Sequence, residues 1–280
     1  MSQNAEEIEA DRALKTKHKA LWSLGDYPAV ATEVIPATGP ILVEACGIRA
    51  GQRVLDVGAG SGNAAIPAAR AGADVVASDL APALLEVGRR HAETEGVRLE
   101  WHEADAEALP YADADFDVVM SCVGVMFAPH HQAAADELVR VCRPGGTIGL
   151  LSWTPEGFIG QMFATMKPYA PPPPPGAQPP PLWGDESHVR SLLGDRVTDV
   201  NARKESLTVD RFGAPEDFRE FFKRTYGPTI AVYRNIAEEP DKVETLDREL
   251  ADLAARHFDA AAGTMSWEYL LFTASRQDDN

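Results

Sequence analysis

Short apolar runs alternate with longer amphipathic segments between residues 53 and 153. The runs are rich in Val, Ile and Leu, which is typical of strands buried on both faces of a sheet. The predicted strands are RVLDVG (53–58), DVVASDL (74–80), RLEWHEAD (98–105), FDVVMSCVG (116–124) and TIGLLSW (147–153). The predicted helices between them are 62–72, 81–96 and 131–146, the last ended by Pro144 and two glycines. This repetition predicts a doubly wound, parallel α/β sheet with right-handed crossovers.

The flanking regions follow a different pattern. Two N-terminal helices are predicted at 5–24 and 28–47, the second ended by Gly47. Beyond Trp153 the pattern predicts helices at 157–169, 187–194, 215–235 and 240–261 and strands at 199–212 and 267–276. The proline-rich stretch 171–181 is interpreted as a stiff extended connection, with a ligand for an SH3-like domain as the weaker alternative. The predicted division is 1–153, N-terminal helices plus cofactor-binding core, and 154–280, a helical lid whose last two strands complete the same sheet.

The loop GAGSG (58–62) follows the first predicted strand, at the edge where open parallel sheets bind ligands. A dinucleotide fingerprint would place its third glycine at position 63, but this chain has Asn63 there and a glycine at 62. Asp56 lies two residues before the loop, where a carboxylate would repel a pyrophosphate and attract a cation. These features favour S-adenosylmethionine, which carries an ammonium and a sulfonium, over NAD. The alternative interpretation of Asp56 is a structural carboxylate that caps backbone amides.

Two further acidic residues follow the next predicted strands. Asp79 ends the second strand, where a carboxylate can accept hydrogen bonds from both ribose hydroxyls of either cofactor. Asp105 and Ala106 follow the third strand, where the carboxylate can accept from an adenine amine. Lone aspartates in loops are usually helix caps or solvated. Three of them at the ends of successive strands predict one shared site.

These motifs resemble the class I S-adenosylmethionine-dependent methyltransferases, especially the branch that includes the ubiquinone/menaquinone C-methyltransferases. The matching stretches are LDVGAGSG (55–62), VVASDL (75–80), EADAEALPYADADFDVV (103–119) and LVRVCRPGG (138–146). The resemblance covers about residues 45–160 and implies a Rossmann-like, seven-stranded sheet whose last strand is antiparallel. In addition, LWSLGDY, GVMFAPHHQ, LWGDESHVRSLLG and RTYGPT are similar to segments of uncharacterised bacterial methyltransferases of similar length.

The resemblance also implies a set of cofactor-binding residues. The methionine end of S-adenosylmethionine is assigned to Asp56, Gly58 and Gly60, and Ala59 and Asn63 are expected to bind the cofactor as well. The ribose is assigned to Asp79 and Leu80, and the adenine to Asp105 and Ala106. Ser121 and Cys122, at the end of the fourth strand, are expected to line the cofactor through their backbone. Trp22 and Tyr27 are candidates for closing the pocket, with core packing and a surface position as their respective alternatives.

Methyl transfer is an in-line displacement at an activated sulfonium, so the protein mainly supplies alignment and excludes water. A base is required only for an acceptor that is still protonated. The candidates are His130 and, slightly preferred, His131, with a solvated helix start as the alternative. Tyr226 is a candidate for orienting the acceptor. Apolar residues of the lid suggest a moderately hydrophobic small molecule, although lid packing is the simpler interpretation: Phe158, Met162, Phe163, Trp183, Phe221 and Phe222.

Composition limits the remaining classes of function. The net charge of −17 argues against a nucleic-acid partner. Three widely spaced cysteines predict neither a disulfide framework nor a metal site and fit a cytoplasmic protein. The N-terminal residues lack the apolar core of a signal peptide, and no apolar run is long enough to span a membrane. The predicted function is methylation of a small molecule at O, N or C; the rivals are an NAD-dependent oxidoreductase and a non-catalytic, cofactor-binding regulatory protein. The acceptor and the oligomeric state are left open.

Overall fold

The computed structural model describes residues 2–278, with side chains described from residue 9 onward. Its strands are β1 Arg53–Val57, β2 Asp74–Asp79, β3 Glu100–Glu103, β4 Phe116–Cys122, β5 Cys142–Trp153, β6 Val197–Val209, β7 Phe258–Asp259 and β8 Thr264–Arg276. They form one sheet in the order β3-β2-β1-β4-β5-β8-β6, and the two-residue β7 pairs with β8. The predicted strands after residue 53 are therefore all present.

Strands β1 to β5 are parallel, and β8 enters antiparallel between β5 and β6. At the centre, Leu55 pairs with Val76 of β2 and with Val119 of β4. All three side chains are fully buried, because helices cover both faces of the parallel part. The prediction of a doubly wound, Rossmann-like sheet with an antiparallel last strand is confirmed.

The helices are α1 Ser2–Trp22, α2 Tyr27–Glu33, α3 Thr38–Ala45, α4 Ala65–Arg70, α5 Pro82–Thr94, α6 His131–Val141, α7 Phe158–Met166, α8 Glu186–Leu193, α9 Pro215–Thr225, α10 Gly227–Asn235 and α11 Pro240–His257. Helices α3 to α6 pack on the parallel strands. Helices α7, α9 and α11 pack on one another, and α1 contacts α10. No helix in residues 2–278 is both long and apolar enough to cross a bilayer.

Three predicted helices have different bounds in the structure. The predicted helix 28–47 is two helices, because Pro36 has no N–H to donate and disfavours helical backbone at Ile35. The predicted helix 131–146 ends at Val141, because Cys142 already pairs with Phe116 in the sheet. The predicted helix 215–235 is interrupted at Tyr226, whose backbone is extended and which caps the start of α10.

The proline-rich stretch runs past the end of β4. Residues 171–174 have no regular structure, and a 3-10 turn follows at Pro180–Gly184. The N–H of Gln178 donates to the carbonyl of Pro129 at 3.0 Å, and Trp183 is fully buried. The connection is therefore attached to the core at both points and joins α7 to α8 along the edge of the candidate site.

Candidate functional site

The glycine loop lies between the end of β1 and the start of α4. Gly58, Gly60 and Gly62 have φ values of +69°, +55° and +89°, a region that glycine adopts without steric cost. Gly58 also contacts the loop after β4: a Cβ atom on Gly58 would lie 2.7 Å from the Cα of Gly124. The two loops therefore approach each other at a distance that a side chain at Gly58 would not allow.

Asp79 joins the loop after β1 to the loop after β2. The backbone N–H of Gly60 donates to its Oδ2 and the N–H of Ala81 donates to its Oδ1, both at 2.8 Å. Burial raises the pKa of this carboxyl, while the N–H groups of Ala81 and Gly60 act in the opposite direction. Each carboxylate oxygen keeps a lone pair, so the group can still accept hydrogen bonds from a ligand.

Asp56 is a fully buried carboxyl whose two oxygens have no hydrogen-bond partner among the described residues. Burial raises its pKa to about 8, although attraction to the backbone N–H of Ala65 lowers it in part. Buried polar groups are normally paired, and an unpaired carboxyl costs stability. The group is therefore suited to a cationic partner that the protein itself does not provide.

A cavity lies at the carboxyl ends of β1, β2, β3 and β4 and holds about 660 Å³ of free space, part of it open to solvent. Eight of the predicted cofactor residues border it: Trp22, Tyr27, Gly58, Gly60, Asp79, Leu80, Asp105 and Ala106. Residues from three strand ends and the N-terminal region thus meet at one place.

Five predicted cofactor residues do not border the cavity: Asp56, Ala59, Asn63, Ser121 and Cys122. The structure gives two of them supporting contacts. The side-chain amide of Asn63 donates to the hydroxyl of Thr38 at 2.9 Å. Ser121 Oγ donates to the carbonyl of Val57 at 2.5 Å and accepts from the N–H of Val125 at 2.8 Å. These side chains fix the glycine loop and the loop after β4.

Helix α1 supplies residues that the sequence pattern did not indicate. Lys15 and His18 border the cavity. The ammonium of Lys15 lies 3.1 Å from Asp105 Oδ1 and 2.5 Å from Glu107 Oε2, while Lys19 pairs with Glu103. These ion pairs hold α1 over the loop after β3. No local signal identifies Lys15, because its partners lie about ninety residues away in the chain.

Glu107 is the centre of this charged group. Its carboxylate also accepts from the backbone N–H of His130 at 2.7 Å and lies 2.9 Å from His130 Nδ1. Burial alone would raise the pKa of Glu107, but the hydrogen bonds from Lys15 and His130 hold it below its ordinary value. Asp11, Glu107 and His130 could each offer one atom to a metal ion. Lys15 already supplies Glu107 with a cation at this place.

A second, smaller cavity with room for about one water molecule lies next to the first. Tyr27 and Val123 border both cavities. The other bordering residues are Val30, Ile35, Trp153, Ile159, Phe222, Tyr226 and Trp267. Tyr226, predicted to orient an acceptor, is therefore near the cofactor-side cavity. Among the six apolar lid residues singled out from the sequence, Phe222 borders a cavity.

The junction between the cavities is built from aromatic rings and one strained residue. The Trp22 ring lies 5.4 Å from that of Tyr27 and 4.6 Å from that of Phe127, both in edge-to-face geometry. Val123 has a φ of +62°, which is rare for a β-branched residue and costs about 1–3 kcal/mol. Its N–H donates to the carbonyl of Leu151 at 2.7 Å. Such strain is concentrated at binding and catalytic sites.

The structure does not bring His131 to either cavity. His131 is fully buried, its Nδ1 lies 2.9 Å from Nε2 of His188, and its ring packs beside Trp183. Burial lowers the pKa of His131 to about 4, so that it is neutral at physiological pH. The alternative of a solvated helix start is wrong as well, because none of this side chain is exposed. His131 attaches α8 to the core.

The sheet is parallel except for an antiparallel strand next to its edge, and a glycine loop and two acidic residues border one cavity. Together these features define a class of enzyme fold. The chain belongs to the class I S-adenosylmethionine-dependent methyltransferases. Residues 54–146 match a family model described as a methyltransferase domain. This segment contains the glycine loop and the acidic residues after β2 and β3.

The chain is also similar to individual proteins. The chain is 52% identical over 265 residues to an uncharacterised protein of Mycobacterium tuberculosis, covering 95% of this chain and 96% of that protein. It is 41% identical over 108 residues to a demethylmenaquinone methyltransferase of Renibacterium salmoninarum, and this match covers 39% of this chain and 44% of that protein. A crystal structure of a putative methyltransferase from Bacillus halodurans superposes with a TM-score of 0.57 at 20% identity, covering 85% and 98%. The last likeness concerns the fold alone.

Proposed function

We propose that this protein transfers the methyl group of S-adenosylmethionine to a small-molecule acceptor. The observation that carries the proposal is the meeting of the glycine loop, Asp79 and Asp105 at one cavity beneath α1. S-adenosylmethionine supplies a methyl group that is already activated on a positively charged sulfur. The protein then has to bind the methyl donor and the acceptor, align them and keep water away, and the described residues offer groups for each task.

The residues present fit this cofactor. Asp79 offers two partly buried carboxylate oxygens at the cavity wall to the ribose hydroxyls. Asp105 Oδ1 is occupied by Lys15 and by the N–H of Glu107, so its second oxygen is the acceptor for an adenine amine. Asp56 is a buried, unpaired carboxyl behind the cavity wall, and a nearby ammonium would favour its ionised form without touching it. Trp22 and Tyr27 border the cavity with aromatic rings, which reduce the contact of a bound molecule with water.

Isothermal titration calorimetry tests cofactor binding. The wild type is expected to bind S-adenosylmethionine and S-adenosylhomocysteine. Asp79→Ala should weaken both by at least about tenfold, because hydrogen bonds to a charged acceptor are among the stronger ones. Asp74→Ala is the matched control, since Asp74 is an exposed carboxylate at the opposite end of the same strand. Equal binding by Asp79→Ala would refute the role of this residue, and an inert wild type would refute the cofactor.

Two other functions make different predictions. An NAD-dependent oxidoreductase should bind a reduced nicotinamide cofactor, and binding should change the fluorescence of that cofactor. The sequence argues against this function, because Asn63 stands where the dinucleotide fingerprint has glycine. A regulatory protein should bind S-adenosylmethionine without turnover. A labelled-methyl screen over phenols, quinols, amines and extract metabolites separates a methyltransferase from the regulatory protein, because only the enzyme labels a compound.

A further inference from the structure

The two oxygens of the Asp105 carboxylate differ in what they contact. The ammonium of Lys15 donates to Oδ1 at 3.1 Å, and the backbone N–H of Glu107 donates to the same atom at 3.0 Å. No described residue donates to Oδ2. Asp105 and Lys15 both border the first cavity, and 25% of the Asp105 side chain is exposed. Asp105 therefore offers one free acceptor atom to a molecule bound there.

Lys15 is held in place by a second carboxylate. Its ammonium lies 2.5 Å from Glu107 Oε2, and only 8% of the residue is exposed. Glu107 in turn accepts from the backbone N–H of His130 at 2.7 Å, and its Oε2 lies 2.9 Å from His130 Nδ1. These contacts connect the loop after β4 to the cavity wall, so the position of the Asp105 carboxylate is fixed through Lys15.

Lys15 is also the cation between two carboxylates that both lie within hydrogen-bond distance of its nitrogen. Like charges at this separation oppose each other's ionisation. Without the ammonium, Asp105 would turn away from Glu107 or take up a proton. In the first case its free oxygen leaves its place, and in the second case the group donates as well as accepts.

A fixed carboxylate oxygen distinguishes donors from acceptors. It accepts a hydrogen bond from an amine and repels a carbonyl oxygen, and this difference separates a 6-aminopurine from a 6-oxopurine of the same shape. A carboxyl group that has turned away contacts neither purine. A protonated carboxyl group can donate to the carbonyl and accept from the amine, so the distinction is lost in both cases.

Resting on the cofactor binding proposed above, we infer that Lys15 is a positioning residue that makes the site selective for adenine over its 6-oxo counterpart. Lys15 acts through Asp105, which is ninety positions away in the chain. The group that recognises the base is therefore complete only when α1 is docked on the loop after β3.

The next turn of α1 provides a matched control. Lys19 pairs with Glu103 at the end of β3, just as Lys15 pairs with Asp105 and Glu107 beyond it. Lys19 does not border the cavity. Lys19→Met should therefore weaken the docking of α1 without disturbing the Asp105 carboxylate.

The test compares two nucleosides by isothermal titration calorimetry with the full-length protein. They are S-adenosylhomocysteine and S-inosylhomocysteine, which has a 6-oxo group in place of the 6-amino group. The wild type is expected to bind the adenine compound more tightly by about tenfold or more, because the amine donates to a charged acceptor. Lys15→Met should reduce this preference by about tenfold, and Lys19→Met should leave it unchanged.

The preference is a ratio of two affinities, so a loss of α1 docking that weakens both compounds alike does not change it. An unchanged preference in Lys15→Met, or an equal loss in Lys19→Met, would overturn the inference. Lys15→Arg keeps the charge that the two carboxylates share and is expected to retain the preference. If circular dichroism shows that Lys15→Met does not fold, Lys15→Gln makes the same comparison, because its amide carries no charge.

The same titrations separate this inference from the function on which it rests. A wild type that binds both compounds equally well would refute base selection through Lys15 and would leave cofactor binding standing. A wild type that binds neither compound would instead refute the proposed function.

Discussion

Replacing Asp56 by Asn removes the most unfavourable buried ionisable group near the proposed cofactor site. The two side chains have nearly the same size, and only the carboxyl can ionise. In the folded wild type the carboxyl keeps its proton up to about pH 8, whereas in the unfolded chain it loses the proton near pH 4. The wild type is therefore expected to lose stability as the pH rises from about 4 to about 8, and Asp56→Asn is not.

The magnitude follows from the size of the shift. The pKa of Asp56 rises from 3.8 to about 8, and each unit corresponds to about 1.4 kcal/mol. Over the interval from pH 5 to pH 8 the group should therefore destabilise the wild type by about 4 kcal/mol relative to the variant. The unpaired amide in the variant costs about 1–3 kcal/mol, but this cost does not change with pH. The expected signature is a gap in unfolding free energy that widens with pH.

Urea unfolding of both proteins at pH 5 and pH 8 measures this gap, with Asp74→Asn as a control for loss of an exposed carboxylate. Calorimetry with S-adenosylmethionine supplies the functional half. A cationic ligand favours the ionised form of Asp56 and so displaces its proton. As the pH is raised towards 8, the affinity of the wild type should therefore increase by up to about tenfold per pH unit. The affinity of Asp56→Asn should be lower and should not change with pH. A constant stability gap together with parallel affinity profiles would refute this account of Asp56.

Two further predictions concern the residues that fix α8 and α1. Burial lowers the pKa of His131 to about 4, so the folded protein resists protonation of this ring. The free energy of unfolding should therefore fall by up to about 3 kcal/mol as the pH drops from above 6.5 to 4.5. His131→Phe should reduce this loss in urea unfolding, and an unaltered acid limb would contradict it. Lys15→Met leaves Glu107 without its ammonium partner and should lower the unfolding free energy by about 3 kcal/mol. Lys15→Met/Glu107→Leu should recover part of that loss, and additive losses in the double-mutant cycle would show that the pair is not coupled.

The sequence predicted the part of the fold that depends on local pattern. The repeated alternation of strands and helices identified all five parallel strands, and the parallel arrangement implies that their carboxyl ends share one edge. For that reason Asp79 and Asp105, which follow different strands, could be expected at one cavity. The sequence also contained the signal for the break in the helix predicted at 28–47. Proline interrupts helices, but the apolar spacing continues across Pro36 and led to the prediction of one helix.

The remainder depends on contacts between distant segments. Lys15 lies on the exposed-looking polar face of an N-terminal helix, and only the folded chain brings it to Asp105, ninety positions away. His131 follows a strand end as a base might, but its partner His188 comes from a helix beyond the proline-rich connection. Neither the neutral state of His131 nor the approach of α1 to β3 has a local sequence signal.

Helix α1 has a kinetic consequence for the cavity that it covers. Lys15, His18 and Trp22 form part of the wall, so a movement of this helix would widen the opening of the cavity to solvent. Moving it separates the contacts of Lys15 with Asp105 and Glu107 and that of Lys19 with Glu103, and it exposes the Trp22 ring. Under the proposed function, the residence time of a spent cofactor would then depend on the undocking of this helix.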